Sequence, residues 1–143
     1  MRGVALGLLL GIAISVVVAC GGAQPPNHDQ DKRTQIAILW GQIRDWRREG
    51  KMPLDPPRQL MFQYQNRAVQ EAKRVCTDGH LVPKTCDDVC DLSDAICDNA
   101  EAICGLADEL GKDDTFAQEK CASAKASCRE SKQRCCDCSG GVQ

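Results

Sequence analysis

Two segments with regularly spaced cysteines decide the fold: CDLSDAICDNAEAIC at residues 90–104 and CASAKASCRESKQRC at residues 121–135. Each segment carries a cysteine at every seventh position, which is close to two helical turns, so its three cysteines share one helical face. Between the segments lies Gly-Lys-Asp-Asp at 111–114, a combination typical of a helix end followed by a helix start. The pattern therefore predicts an antiparallel helical hairpin.

An antiparallel hairpin that turns between Lys112 and Asp113 places these six cysteines opposite one another. The predicted pairs are Cys90 with Cys135, Cys97 with Cys128 and Cys104 with Cys121. Bridged cysteines have α-carbons about 5.5 Å apart, whereas helices usually pack about 8–10 Å apart, so the residues beside each bridge must be small. With the cysteines at heptad position a, the neighbouring d positions hold Ser93, Ala100, Ala107, Ala117, Ala124 and Ser131. We therefore predict three disulfides across the hairpin.

Four further cysteines lie close to the open end of the hairpin: Cys76, Cys86, Cys136 and Cys138. Cys86 precedes the first heptad cysteine by four residues, and Cys138 follows the last by three, so both extend the same seam. We expect a fourth bridge between Cys86 and Cys138 and a fifth between Cys76 and Cys136. The swapped pairing stays open, because Cys136 and Cys138 are near neighbours.

A second interpretation of this cluster is a thiolate metal site. Residues 135–138, together with Cys76, Cys86 or His80, offer donors for a soft metal such as copper or zinc. The other histidine, His28, lies in a polar segment and is interpreted as solvated. We favour disulfides, and we predict neither a metal ion nor a cofactor.

The first twenty residues have the features of an export signal. Arg2 precedes an apolar run, Val4 to Val18, that is short for a membrane span. The run ends in Val17-Val18-Ala19-Cys20, which resembles the lipobox of bacterial lipoproteins. The resemblance implies cleavage after residue 19 and lipidation of Cys20. Because Gly21 and not Asp follows, it also implies an outer-membrane location, on either face.

The cysteine count agrees with this interpretation. The chain has 11 cysteines, an odd number, and lipidation of Cys20 would leave ten for five disulfides. Disulfides form in oxidising compartments outside the cytoplasm. We therefore expect a protein held on a membrane by its lipid, with an envelope protein as its unidentified partner.

Upstream of the hairpin, the sequence predicts a tether at 20–33 and then two helices, at about 34–49 and 56–76. The first helix has an apolar stripe, which we expect to pack on the hairpin, and three arginines, which we expect to be solvated. The alternative is that this helix lies on a membrane surface. The stripe consists of Ile36, Leu39, Trp40, Ile43 and Trp46, and the arginines are Arg44, Arg47 and Arg48. The second helix is expected to have Asp55 as its N-cap and Pro56 at its first position. Its buried face is expected to consist of Met61, Tyr64, Ala68, Ala72 and Val75.

The predicted fold is all-α: a disulfide-stapled hairpin, with helices at about 85–110 and 115–137, packed as a bundle with the two upstream helices. Residues 34–143 would form one small domain after the signal peptide (1–19) and tether. Thr85 is the expected N-cap of the first hairpin helix, with Asp87 and Asp88 in its first turn.

No enzymatic function is predicted. The sequence has no phosphate-binding glycine loop, no recognisable nucleophile set and no Cys-x-x-Cys redox pair next to a strand pattern. A net charge of −2 gives no basic surface for nucleic acid. The mature part is similar in style to uncharacterised cysteine-rich lipoproteins of predatory and social bacteria, in which a Cys-heptad hairpin ends in Cys-Cys-x-Cys. That resemblance implies no activity, so we expect a structural or interaction module, with an inhibitor or toxin-like scaffold as a further alternative.

Overall fold

The structure is a computed structural model, and it describes residues 27–77 and 79–140. These residues form five α-helices and no strand, which confirms the all-α prediction. The helices are α1 (His28–Glu49), α2 (Arg58–Tyr64), α3 (Val69–Lys73), α4 (Asp87–Leu110) and α5 (Thr115–Cys138), with a 3₁₀ turn at Lys84–Cys86. Within the described part, no helix is both long and apolar enough to cross a bilayer. The predicted signal peptide and Cys20 lie outside the described residues.

Helices α4 and α5 form the predicted antiparallel hairpin. Gly111 ends α4 with a φ of 92°, a left-handed conformation that glycine adopts without strain. Asp114 caps α5, because its carboxylate accepts a hydrogen bond of 3.0 Å from the backbone N–H of Ala117. The same bond, followed by the contact with Arg33, lowers the pKa of Asp114. The small d-position residues Ser93, Ala100, Ala107, Ala117, Ala124 and Ser131 are all buried, as the disulfide geometry requires.

Helix α1 lies along the hairpin, antiparallel to α4. Near its start, Lys32 forms an ion pair of 3.0 Å with Glu109, and beyond its end Gly50 lies against Leu92. The apolar stripe of α1 packs on α4 and α5 as predicted, with Ile36 and Ile43 fully buried. The helix begins at His28, six residues before the predicted start, so residues 28–33 of the predicted tether are helical. Within this extension Lys32 pairs with Glu109 in the last turn of α4, and Arg33 pairs with Asp114, the N-cap of α5.

The predicted helix at 56–76 is wrong as a single element. The chain forms two short helices, α2 and α3, separated at residues 65–68, and α2 begins after Pro57 instead of after Asp55. The break changes the buried face: Tyr64, Val69 and Ala72 are buried, whereas Ala68 is exposed. Three upstream helices, and not two, therefore cover the hairpin.

The other predicted boundaries differ by a few residues. Helix α4 begins at Asp87, because the chain first makes a 3₁₀ turn, and its N-cap is Cys86 instead of Thr85. Asp87 and Asp88 lie in its first turn, as predicted. Helix α5 begins at Thr115 as predicted and extends one residue further than expected, to Cys138.

Helix α5 lies at the centre of the assembly, in contact with each of the other four helices. Every residue from Cys121 to Cys128 is buried, including those that point away from α4. The segment reads CASAKASC, so alanine and serine let neighbouring helices approach from all sides. The packing around α5 forms the groove and the pocket that are described below.

Candidate functional site

Five disulfides join the cysteines, and all five predicted pairs are confirmed. The three heptad rungs, Cys90–Cys135, Cys97–Cys128 and Cys104–Cys121, have Cα–Cα distances of 4.8, 4.6 and 4.7 Å. The two further bridges are Cys86–Cys138 at 5.9 Å and Cys76–Cys136 at 5.3 Å. The pairing that the sequence left open is thus settled in favour of Cys86 with Cys138.

The disulfide pairing argues against the interpretation of the C-terminal cysteines as a thiolate metal site. Metal-binding cysteine must be a thiolate, and each of the ten cysteines in question is in a disulfide. His80 donates its backbone N–H to Thr77 in a turn, and no cluster of three or more metal-ligating side chains occurs within residues 27–77 and 79–140. The C-terminal cluster therefore lacks the donors which that interpretation needs.

Arg47 is a buried charge, so the prediction that it is solvated is wrong. Its side chain has 0% exposure, its Nε donates a hydrogen bond of 2.7 Å to the carbonyl of Pro53, and Nη2 lies 2.9 Å from Glu130 Oε2. A buried guanidinium needs such partners, because an unpaired charge inside a protein is strongly unfavourable. Arg47 thus joins α1, the segment after it and α5.

Lys125 is the second buried charge, with 5% exposure on α5. Its ammonium donates hydrogen bonds of 2.9 and 2.8 Å to the carbonyls of Gln65 and Arg67, where the chain breaks between α2 and α3. Burial lowers the pKa of Lys125, and the carboxylates of Asp108 and Glu71 partly oppose this effect. The lysine replaces the helical hydrogen bonds that the break removes.

An open groove of about 760 Å³, the Trp40 groove, lies between α1, α2 and the first half of α5. Its lining includes Trp40, Met61, Phe62, Lys112 and Lys120. Phe62 is 71% exposed, and the Lys120 ammonium lies 5.6 Å from the Trp40 ring centroid. Aromatic and thioether side chains in one concave surface are characteristic of protein contact sites.

A smaller cavity of about 460 Å³, the Cys138 pocket, lies at the opposite end of the hairpin. It is formed where the end of α1 meets the start of α4 and the end of α5. Met52, Val89 and Leu92 supply apolar walls, and Cys138 is part of the lining. One disulfide thus borders a cavity.

Sequence reasoning identified the cysteines but missed the two buried charges and both concave surfaces. Arg47 follows Ile36, Trp40 and Ile43 by eleven, seven and four residues, which places it on the same helical face, so its position carried a signal of burial. Lys125 occupies a segment of otherwise small residues, which was a weaker signal. The groove and the pocket arise from contacts between distant segments, and no local pattern indicates them.

Comparison with protein-family models, with curated proteins and with solved structures found no match to this chain.

Proposed function

We propose that this chain is a lipid-anchored, non-enzymatic structural or interaction module of the bacterial cell envelope. The observation that supports this proposal most directly is which cysteines form disulfides. The five disulfides use every cysteine except Cys20, the residue at the lipidation position of the lipobox-like sequence. An exported protein with an even number of bridged cysteines and one additional cysteine in that motif fits the lipoprotein pattern.

The anchor would act without a spanning helix. Two or three acyl chains bind a bilayer durably, since each buried CH₂ group contributes about 0.8 kcal/mol. Only seven residues separate Cys20 from the start of α1, and they reach roughly 25 Å at most when fully extended. The helical domain would therefore stand close to the membrane, with the α1 start and the hairpin turn nearest to it.

The Trp40 groove is the surface that we assign to a protein partner. It lies toward the same end of the hairpin, because Lys112 and Thr115 line it. A lipidated Cys20 would thus present the groove close to the membrane, where another envelope protein can reach it. The disulfides would keep the groove in shape in an environment where unfolding and proteolysis are constant risks.

Metabolic labelling with an alkyne-tagged palmitate in a Gram-negative host tests the anchor. The unaltered chain should incorporate the label and fractionate with the outer membrane, Cys20→Ser should lose both properties, and Gly21→Ala should keep them. Gly21→Asp should keep the label and move the protein to the inner membrane. Label on Cys20→Ser equal to that of the unaltered chain would contradict the proposal.

A photo-crosslinking residue at position 62 tests the interaction role. Position 38 on α1 is the matched control, because Ile38 is a large apolar residue with 57% exposure, and it does not line the groove. We expect a discrete crosslinked partner from position 62 in intact cells and none from position 38. Equal patterns from both positions would show that the groove is not a specific contact site.

A further inference from the structure

The Cys86–Cys138 disulfide contains the most exposed of the ten bridged cysteines. Cys138 is the last residue of α5 and is exposed, whereas its partner Cys86 has 1% exposure. In the three heptad rungs no cysteine exceeds 8% exposure, and in the remaining bridge Cys76 is half-buried and Cys136 has 0% exposure. Thiol–disulfide exchange requires a thiolate to reach one of the two sulfurs. Sequence position alone did not distinguish this bridge.

The Cys86–Cys138 bridge borders a cavity large enough for a small molecule. The Cys138 pocket, at about 460 Å³, falls within the range of small-ligand sites. The side chains of Met52, Val89 and Leu92 supply apolar surface for the carbon skeleton of a ligand. Cys138 thus forms part of the wall of a pre-formed pocket.

The charges of the pocket select among thiols. Its lining carries the carboxylates of Glu49, Asp88 and Asp137 but only one cation, Arg134, whose Nη1 donates a hydrogen bond of 3.0 Å to the carbonyl of Gly50. Among the described residues, none of the three carboxylates forms an ion pair. An excess of negative charge attracts a cation and repels an anion.

We propose that the Cys138 pocket is a thiol–disulfide exchange site for low-molecular-weight thiols that carry a cationic amine. The thiol loses its proton to water, and its sulfur attacks Sγ of Cys138. A bond forms between the two sulfurs, the Cys86–Cys138 bond breaks, and its electron pair leaves on Sγ of Cys86. The incoming thiol is oxidised to the mixed disulfide, and Cys86 is reduced.

The position of Cys86 supports its role as the leaving group. It is the N-cap residue of the 24-residue helix α4, and the N-terminus of a helix stabilises a thiolate. The carboxylate of Asp88 nearby opposes this effect, and an amine in the pocket would offset that carboxylate. The other four bridges hold the hairpin together during the exchange, so the reaction is reversible without unfolding.

Reaction of the oxidised chain with three small thiols tests the site. The probes are cysteamine, which is cationic, mercaptoethanol, which is neutral, and mercaptopropionate, which is anionic. After limited reaction, free thiols are alkylated and the chain is mapped by mass spectrometry. We expect the first product to carry the probe on Cys138 and the alkyl group on Cys86. A first product at any other bridge, or with the probe on Cys86, would overturn the proposal.

The charge preference is tested with matched variants. Asp88→Asn and Asp137→Asn each remove one pocket carboxylate, and Asp113→Asn removes an exposed carboxylate in the turn at the other end of the hairpin. Taking the ratio of variant to unaltered chain for each probe cancels differences in intrinsic thiol reactivity. In the pocket variants, the cysteamine rate should fall about two- to fivefold, the effect of one exposed charge, and the mercaptopropionate rate should rise.

In Asp113→Asn all three rates should stay unchanged. If the pocket variants show the same rates as Asp113→Asn for every probe, the pocket does not select the thiol and the proposal fails. Circular dichroism and the intact mass before reaction confirm that each variant is folded and fully oxidised. A chain with both Cys86→Ser and Cys138→Ser should form no adduct under the same conditions; an adduct there would assign the reaction to another bridge.

Discussion

Helices α4 and α5 have the same length of 24 residues and the same spacing of cysteines, yet α5 is buried far more extensively. Ala102 and Ala126 occupy the same heptad position, two residues before a cysteine, on the outer side of each helix. Ala102 is exposed, whereas Ala126 has 0% exposure. The cysteine heptad thus defines the contact face between the two helices. The packing of the three upstream helices determines how much of their other faces is buried.

The composition of the two helices agrees with this difference. Helix α4 carries eight acidic residues and no basic one, and most of these carboxylates are on its solvated side. The central part of α5 replaces them with alanine and serine, which allow close approach on every side. Helices α1 and α3 pack against both hairpin helices, and α2 packs against α5. On α4 they leave the carboxylate-bearing side in solvent, because burying unpaired carboxylates is unfavourable.

The largest expected difference concerns the ion pairs on the two helices. Glu130→Gln on α5 would leave the fully buried Arg47 without its anionic partner, and we expect the free energy of unfolding to fall by about 3 kcal/mol. Asp94→Asn on α4 removes the exposed partner of Lys132 and should cost about 0–1 kcal/mol. Urea unfolding with the disulfides intact measures both.

Replacing both members of the buried pair separates the attraction between the two charges from the penalty of leaving one charge buried without a partner. Arg47→Met combined with Glu130→Gln should recover part of the loss seen with Glu130→Gln alone, because no unpaired charge remains buried. A loss of equal size in Glu130→Gln and Asp94→Asn would mean that Arg47 is not buried as the structure shows.

The matched alanines on the two helices give the next largest effect. Ala126→Leu should lower the free energy of unfolding by about 2–3 kcal/mol, because α5 has no space there for three further carbon atoms. Ala102→Leu at the equivalent exposed position of α4 should change it by about 0.5 kcal/mol or less. Equal effects would show that α5 is no more enclosed than α4.

The carbonyls exposed by the break between α2 and α3 accept hydrogen bonds from Lys125 of α5. Lys125→Met should reduce stability by about 1–2 kcal/mol, because the carbonyls of Gln65 and Arg67 lose a charged donor. Amide hydrogen exchange should increase in α2 and α3 and stay unchanged in the centre of α4. Uniform acceleration across all helices would contradict a local role for this lysine.

The smallest effect is a difference between two lysine titrations. The pKa of Lys125 is lowered from its ordinary value of 10.5 by burial, whereas the pKa of Lys73 is raised from 10.5, first through its hydrogen bond with Glu101. NMR titration of the side-chain signals should place the two lysines on opposite sides of 10.5. The same midpoint for both would show that Lys125 is solvated.

These shifts have opposite consequences for stability. Between the folded pKa of Lys125 and 10.5, the unfolded chain binds more protons, so the contribution of Lys125 to stability rises with pH. The contribution of Lys73 is complete below 10.5 and is lost as pH rises through its folded pKa. The difference in unfolding free energy between the unaltered chain and Lys125→Met measures the first effect.

The hairpin and its bridges could be predicted because the information is local and redundant. Spacing of seven, small residues beside each cysteine and a Gly-Lys-Asp-Asp turn all specify one antiparallel register. The continuation of that seam predicted the fourth bridge, Cys86–Cys138, and the fifth joined the two cysteines that remained, although the sequence left the swapped pairing open. The connectivity therefore rests on the sequence pattern as well as on the structure.

The break in the second predicted helix could not be read from its own residues. Gln65, Asn66 and Arg67 include neither glycine nor proline, and the whole stretch is rich in helix formers. The break is stabilised by Lys125, which lies about sixty residues further along the chain. Tertiary contacts here override local propensity, and the Trp40 groove exists only because of how these distant segments meet.

The most direct test of the account is disulfide mapping of the chain purified from an oxidising periplasm, by proteolysis and mass spectrometry without reduction. We predict three bridges between equivalent rungs of α4 and α5, together with Cys86–Cys138 and Cys76–Cys136. Cleavage between Cys136 and Cys138 separates the last two bridges into distinct linked peptides. Cys76 linked to Cys138, or a heptad cysteine left as a free thiol, would contradict the stapled hairpin around which the fold and the proposed functions are built.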